Sequence, residues 1–304
     1  MTDLETLRPL YAQLIDQLAA RGLADPSRDC ARLAVQHGIW RDPLQRPTHF
    51  EADLAGNPLP DPQQFWIVHY LEEHYPTIRA ELDRVIHPQQ AGFSAVEEPL
   101  LSQGRWDEAV FYEGGHRFDE VCRRFPATAA IIEALPREAL EAGVIMFSWL
   151  HPGSHIFPHC GRTNTRLRIH LGVRIPEGVS MRVGVHTFSW REGRCTVFDD
   201  SFEHEVWHRG TQPRIVFLFD IYHPDLSPDQ KRRSHPARTG FEERIKSFMN
   251  ERGLAEISLE PESGRLHLKP DDYTEKAIRR YMQGNGLNTV RMLRGDLEIE
   301  NRDT

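Results

Sequence analysis

Residues 166–176 read Arg-Leu-Arg-Ile-His-Leu-Gly-Val-Arg-Ile-Pro. Leu167, Ile169, Leu171, Val173 and Ile175 alternate with Arg166, Arg168, His170, Gly172 and Arg174. A period of two marks a strand with one buried face. Residues two apart share a face at about 6–7 Å, so Arg168 and His170 are neighbours. Working outward, strands are expected from Val144 and over Met181–Val185, Cys195–Phe198 and Arg214–Tyr222. The last is apolar on both sides, as a strand between two packed layers is. Short strands separated by turn residues predict a jelly roll or barrel, mainly β, with the β region opening at Val144.

Helices flank that region. Leu4, Leu7, Leu10, Tyr11, Leu14, Ile15 and Leu18 recur at helical spacing, and Gly22 ends the run. Further helices are expected near residues 29–37 and 65–85, with a Pro/Asp/Asn-rich surface loop over 41–62 between them. Residues 89–115 read as irregular and carry Trp106, Phe111 and Tyr112 either at a substrate groove or pinned to the core. Residues 227–240 read as a linker. Beyond it, helices over 241–252 and 273–282 flank a hairpin of 257–260 and 265–268, a small α+β appendage. The domain expectation is therefore a unit over 1–230 and an appendage over 240–304 of unassigned role.

Composition narrows the classes. With 304 residues and 39% hydrophobic content the chain can build a sizeable core. It has no run of eighteen apolar residues, so no membrane span is expected, and the acidic Met-Thr-Asp-Leu-Glu opening does not read as a signal peptide. A formal net charge of -8 argues against nucleic acid as the main partner. Cys30, Cys122, Cys160 and Cys195 are dispersed, without a CxxC pair, which fits a reducing, cytoplasmic compartment.

Two histidines among sixteen stand out by context. His159 follows Pro158 and precedes Cys160-Gly161; His204 lies in Phe-Asp-Asp-Ser-Phe-Glu-His-Glu-Val-Trp, just past a strand. Barrel iron sites combine two such histidines with a carboxylate as a facial triad. Two residues after His159 that place is Gly161, which leaves two protein ligands for a metal. An aspartate introduced there is expected to keep the metal and lower turnover, with a positive φ at Gly161 as the competing constraint. His204-Glu205-Val206-Trp207-His208 also spells H-E-x-x-H, a zinc-peptidase signature. That motif requires a helix, whereas a β run precedes it and Arg-Gly-Thr-Gln-Pro follows at once.

Taken together, the phrases His151-Pro-Gly-Ser-His, Pro158-His-Cys-Gly-Arg-Thr-Asn, Arg166-Leu-Arg-Ile-His-Leu-Gly, Phe198-Asp-Asp-Ser-Phe-Glu-His-Glu-Val-Trp, Arg214 and His223-Pro224 resemble the aspartyl/asparaginyl β-hydroxylases. A weaker match runs through His37-Gly-Ile-Trp and Gly104-Arg-Trp. The resemblance implies a double-stranded β-helix, cupin-like, and an Fe(II)- and 2-oxoglutarate-dependent dioxygenase using O2. It implies His159 and His204 as the iron ligands, without a carboxylate ligand. It implies Arg214 and Ser148 at the distal carboxylate of 2-oxoglutarate, where a guanidinium fork suits the group, with Arg168 and His170 towards the metal end. Asp199 and Asp200 are expected either to orient the site or to form the turn. The family's polar substrate-reading pattern is not matched at Leu100-Leu101-Ser102-Gln103 and Met146; Arg105 and Glu108 are candidates to replace it.

The implied reaction is hydroxylation at the β-carbon of an Asp or Asn residue in a peptide or protein. The alternatives are a free or carrier-bound amino acid, an acyl chain, a halogenation permitted by Gly161, and a non-catalytic cupin-like binding module.

Overall fold

The structure, a computed structural model, describes residues 4–85, 88–96 and 100–234, with four further strands in the C-terminal segment. Helices α1 (Leu4–Ala20) and α2 (Ala24–Gln36) pair through a small core of Ile15, Ala31, Ala34, Ile39 and Trp40. Helix α2 stops at Gly38, whose φ is 72°. The N–H groups of Gly38 and Ile39 return to the carbonyls of Val35 and Ala34. A left-handed residue closes a helix in this way, and glycine takes that conformation without a Cβ clash.

The proline-rich stretch after α2 is an ordered strap. Arg46 N–H donates to Ser201 O (3.2 Å), Glu203 N–H to Leu44 O (2.6 Å), His49 N–H to Arg162 O (2.8 Å) and Asp199 N–H to Pro58 O (3.2 Å). It is thus tied to the loops that carry the two candidate metal histidines. Helix α3 (Trp66–Leu82) buries Ile67, Val68, Leu71, Ile78 and Leu82 on one side. Its Glu81 carboxylate accepts the N–H groups of Ala127 and Thr128, both at 2.8 Å. Those donors open α5 (Pro126–Glu133), which lies between α4 (Asp119–Arg124) and α6 (Arg137–Glu141). An acid is favourable at such a helix start.

Twelve strands follow one another through this part: β1 (Ser94–Ala95), β2 (Leu101–Gln103), β3 (Trp106–Glu113), β4 (His116–Arg117), β5 (Val144–Leu150), β6 (His155–His159), β7 (Arg166–Arg174), β8 (Val179–Val183), β9 (His186–Phe188), β10 (Cys195–Phe198), β11 (His204–His208) and β12 (Arg214–Tyr222). The larger sheet runs β1-β3-β5-β12-β7-β10, with β4 on β3; the smaller runs β2-β6-β11-β8-β9. Every strand pair in both is antiparallel. Two facing antiparallel sheets wound in this order make the double-stranded β-helix.

Side-chain alternation sorts the larger sheet. Ile145, Phe147, Phe217, Phe219, Leu167, Ile169 and Leu171 face outward into the core beneath α3 and α5. Arg214, Val216 and Leu218 of β12 face inward, with Val216 opposite Ser148 and Gly172, Leu218 opposite Met146 and His170, and Asp220 opposite Arg168.

Two sequence expectations are corrected. Residues 89–115 are not irregular, and the β region opens well before Val144: β3 is an eight-residue strand paired along β5. Phe111 and Tyr112 are therefore core residues. The 227–240 linker begins with a short helix, α7 (Pro228–Ser234). In the C-terminal segment β13 (Ile257–Glu260), β14 (Arg265–Leu268), β15 (Thr289–Leu293) and β16 (Asp296–Glu300) form an antiparallel sheet in the order β13-β14-β16-β15. The expected hairpin is its β13–β14 pair; the helices expected over 241–252 and 273–282 lie outside the described residues.

Candidate active site

His159 ends β6 and His204 opens β11, and the two are directly opposed in the ladder. Their rings lie 4.0 Å apart, centroid to centroid. Each turns its Nδ1 to the carbonyl two residues earlier: Phe157 O for His159 and Phe202 O for His204, both at 2.9 Å. A backbone carbonyl accepts a hydrogen bond, so Nδ1 carries the hydrogen and, in the neutral ring, Nε2 carries the lone pair. This arrangement fixes tautomer and ring orientation in metal sites. Burial and the neighbouring His159 hold the His204 pKa well below its usual value, so it stays neutral. Two imidazoles oriented in this way, His204 neutral, fit a divalent metal such as Fe(II). Among the described residues no group of three or more His, Cys, Asp or Glu side chains is placed to hold a metal.

Gly161 explains why no third ligand follows His159 in sequence. A Cβ there would meet the Cγ and Oδ1 of Asp200 at 2.6 Å. The Asp200 carboxylate, from the loop before β11, stands where a side chain at 161 would go. The Gly161 N–H donates to Asp200 O at 2.6 Å. Arg168 lies 3.3 Å from the Asp200 carboxylate and grips Asp220 with two hydrogen bonds, at 2.8 and 3.1 Å. Arg168 and the Val144 N–H hold Asp220 ionised against its burial, whereas burial and the charge of Asp220 raise the Asp200 carboxyl.

Farther along the same interior lies Arg214, 1% exposed. It donates to Ser148 Oγ at 3.2 Å, and its guanidinium sits 4.5 Å over the Trp190 ring. Its Nε has no partner, and among the described residues no carboxylate is within ion-pair distance of it. Burial lowers its pKa to about 9, so it is still a cation near pH 7. An uncompensated buried charge costs several kcal/mol, which marks the spot as an anion site. Ser148 Oγ also accepts from Trp106 Nε1 at 2.9 Å. Next to it His170 is buried with neither ring nitrogen hydrogen-bonded. Burial and Arg214 push its pKa well down. Phe198 bridges the two ends, 4.9 Å from the His170 ring and 5.9 Å from the His204 ring.

The model of the family described as aspartyl/asparaginyl beta-hydroxylase matches residues 72–224, half of the sequence. The chain belongs to the aspartyl/asparaginyl β-hydroxylase family. It is 40% identical over 173 residues to the human aspartyl/asparaginyl beta-hydroxylase, covering 56% of this chain and 23% of that protein. It is 34% identical over 223 residues to human aspartate beta-hydroxylase domain-containing protein 1, covering 69% and 53%. It is 31% identical over 185 residues to the ornithine lipid ester-linked acyl 2-hydroxylase of Rhizobium tropici, covering 58% and 64%. The match thus spans under a quarter of the human hydroxylase and about half of the domain-containing protein. Among solved structures, a 2OG-Fe(II) oxygenase family protein of Burkholderia pseudomallei aligns at 12% identity and TM-score 0.37, covering 50% of this chain and 80% of that one.

Within this β-hydroxylase family chain, the residues expected at the site fall into groups. His159 with His204, and Ser148 with His170 and Arg214, are brought together as two clusters. Arg168 shares the inward face with His170, but its guanidinium is engaged by Asp220 and Asp200. Asp199 is more than a turn residue. Buried, it accepts from Ser201 N–H (3.0 Å), Ser201 Oγ–H (2.6 Å) and the Gln45 amide (3.2 Å), and burial lifts its carboxyl to about 7. His204 lies past β10, as expected, and opens β11; His208 ends that strand, which rules out the helical H-E-x-x-H site. The absence of a positive φ at Gly161 corrects the competing expectation there; side-chain space is the constraint. Sequence reasoning missed Trp190 and Asp220. Asp220 had a signal, a lone acid inside the apolar run 214–222; Trp190, in the irregular segment between β9 and β10, had none.

Proposed function

We propose that this chain is an Fe(II)- and 2-oxoglutarate-dependent dioxygenase that hydroxylates the β-carbon of an aspartyl or asparaginyl residue in a peptide or protein. The observation that carries the reading is Arg214: a buried cation with no acidic partner among the described residues, lying in the same barrel interior as two oriented histidines. A dicarboxylate oxoacid suits both ends. His159 and His204 would hold the metal through Nε2. Arg214 and Ser148 would hold the distal carboxylate, and the guanidinium offers more than one donor to it. His170, neutral, would stand between the two without competing for the anion. When bound, iron with 2-oxoglutarate and O2 supplies the oxidising power for C–H hydroxylation, and 2-oxoglutarate leaves as succinate and CO2.

The protein contributes placement. The strap over 41–62 pins the loops before and after the histidines, so their Nε2 atoms stay aimed. Trp106 holds Ser148 Oγ and Trp190 lies against the Arg214 guanidinium, so both distal groups are fixed in place. Arg168, fixed by two acids, keeps its position beside the histidine end whatever enters. Membership of the family supports an Asp or Asn residue as the substrate.

The test is to incubate the full chain with Fe(II), ascorbate and 2-oxoglutarate, and to analyse Asp- and Asn-containing peptides by mass spectrometry for one added oxygen, with succinate quantified in parallel. A single oxygen on the peptide, lost in His204→Ala, supports the reading. Succinate formation without peptide oxidation, together with oxidation of a lipid acyl chain, would move the substrate assignment to acyl chains. No succinate under any condition refutes the reading.

A further inference from the structure

We propose that His208 is a further residue of the anion pocket, donating its Nε2–H to the distal carboxylate of 2-oxoglutarate and so selecting a dicarboxylate oxoacid over a monocarboxylate one. The inference rests on the functional reading above and adds a residue to it.

Four observations place His208 there. First, it shares a face with His204. On β11, His204, Val206 and His208 alternate with Glu205 and Trp207, and residues two apart on a strand point the same way. Val206 packs in the barrel interior with Val216 and Leu150. Second, it lies at Arg214's end of the barrel. His208 ends β11 and Arg214 opens β12, with only the 209–213 turn between them. Arg214 in turn pairs with Leu150, and the Gly153 N–H just beyond β5 donates to His208 O at 3.0 Å. Third, its tautomer is set. The Gly210 N–H donates to His208 Nδ1 at 3.2 Å, so in the neutral ring the proton is on Nε2. Fourth, that Nε2 is buried and has no hydrogen-bond partner, in a residue 1% exposed.

A buried N–H without an acceptor is uncommon and calls for an explanation. Electrostatics agree on the neighbour: burial comes first, and the Arg214 charge also lowers the His208 pKa, so the ring is a neutral donor. The Gln212 carbonyl near the ring acts in the opposite sense, yet makes no hydrogen bond to Nε2. Arg214 Nε, Arg214's remaining orphan donor, and His208 Nε2 thus belong to one end of one interior, contributed by consecutive strands of opposite sheets. A carboxylate has two oxygens, and a guanidinium and an imidazole N–H can share them. A monocarboxylate such as 2-oxobutyrate offers nothing to either donor.

The experiment uses the full chain loaded with Mn(II) and measures binding by calorimetry, independently of turnover. The ligands are 2-oxoglutarate and 2-oxobutyrate. A hydrogen bond to a charged group predicts that His208→Leu weakens 2-oxoglutarate by about tenfold to a hundredfold. Binding of 2-oxobutyrate should stay within about threefold, because it never reached the donor. His208→Gln retains an N–H donor and should recover most of the affinity. If His208→Leu binds 2-oxoglutarate like the parent chain, the inference is overturned. If the parent chain does not bind 2-oxoglutarate at all, the functional reading fails and takes this one with it. Should the leucine variant not fold, ring-15N NMR of the Zn(II)-loaded parent chain decides, with His208→Gln giving the assignment. The His208 Nε2–H resonance should move on adding 2-oxoglutarate and stay on adding 2-oxobutyrate. A resonance indifferent to both overturns the proposal.

Discussion

Replacing Gly161 by alanine should damage the metal end of the barrel, although no positive φ is at stake. The new Cβ would lie 2.6 Å from the Cγ and Oδ1 of Asp200 and 2.9 Å from its carbonyl oxygen. Carbon contacts are comfortable at about 3.5–4.0 Å, so something must move by nearly an ångström. The carbonyl cannot yield easily, because it accepts the Gly161 N–H at 2.6 Å. The carboxylate is held from the far side by Arg168. Relief therefore falls on the loop leading to His204. Overpacking of this kind costs about 1–3 kcal/mol, a Tm decrease of roughly 2–12 °C for a domain of this size. Gly161→Asp adds a second carboxylate against the first and should lose metal as well as stability, contrary to the expectation from sequence. The decisive variant is Gly161→Asp combined with Asp200→Gly, which vacates the space. It should recover stability relative to the sum of the single changes by about 0.5–3 kcal/mol, the usual coupling of touching residues. Melting temperature and metal stoichiometry of the four proteins measure this. A Gly161→Ala protein that melts with the parent and holds a full complement of metal refutes the contact, as does a double variant that shows no coupling.

His159→Ala and His204→Ala should each abolish metal binding in equilibrium dialysis, while His208→Ala keeps it; the reverse pattern would restore the H-E-x-x-H site. Arg214→Ala should weaken 2-oxoglutarate by about 3–5 kcal/mol, the cost of breaking a buried charge pair, and Arg214→Lys should recover part of that, lacking the two-pronged contact; equal 2-oxoglutarate affinity in all three proteins removes Arg214 from the site. Asp199→Asn tests the strap. With its carboxyl raised to about 7 by burial, folded Asp199 binds more protons than the unfolded chain between about pH 4 and pH 7. Its contribution therefore falls as pH rises through that window and levels off above it. Urea melts should show the asparagine variant gaining on the parent across the window, with its Nδ2 facing a reoriented Gln45; a parent that gains on the variant instead contradicts the buried, proton-binding carboxyl.

Much of the fold was legible because its strands obey period two. Residues 166–174 read correctly from four apolar residues in alternation, and Leu4–Ala20 from helical spacing. Strand β3 was not, because its sequence Trp-Asp-Glu-Ala-Val-Phe-Tyr-Glu puts acids where apolar residues are expected. Asp107 is completely buried and acceptable there only because His151 (2.7 Å) and Arg105 (3.0 Å) reach it. Those partners are distant in sequence or carried on loops, so no local pattern announces them. The same holds at the site. His159 and His204 had a local signature, whereas the contact of Gly161 with Asp200 and the seat of Trp190 beneath Arg214 arise from the winding of the sheets. A glycine in sequence reads as a missing ligand; in space it is room made for an acid from another strand.

The five residues His-Glu-Val-Trp-His show how completely secondary structure decides meaning. On a helix, residues four apart stand on one side about 6 Å apart, and both histidines would serve one metal with the glutamate beside them. On a strand, four residues span about 13 Å. The histidines still share a face, since four is even, but they are too far apart to share an ion. Glu205 goes to the opposite face, where His155 (2.8 Å) and Arg182 (3.2 Å) hold it. A would-be general base has become part of a largely buried ion-pair network on that face, so no peptidase chemistry survives. What survives is the shared inward face. His204 stands against His159 at one end of the interior, and His208 stands at the end where Arg214 begins the next strand. An oxoacid with a carboxylate at each end needs donors at both ends of one cavity, and a single strand with histidines four apart reaches both.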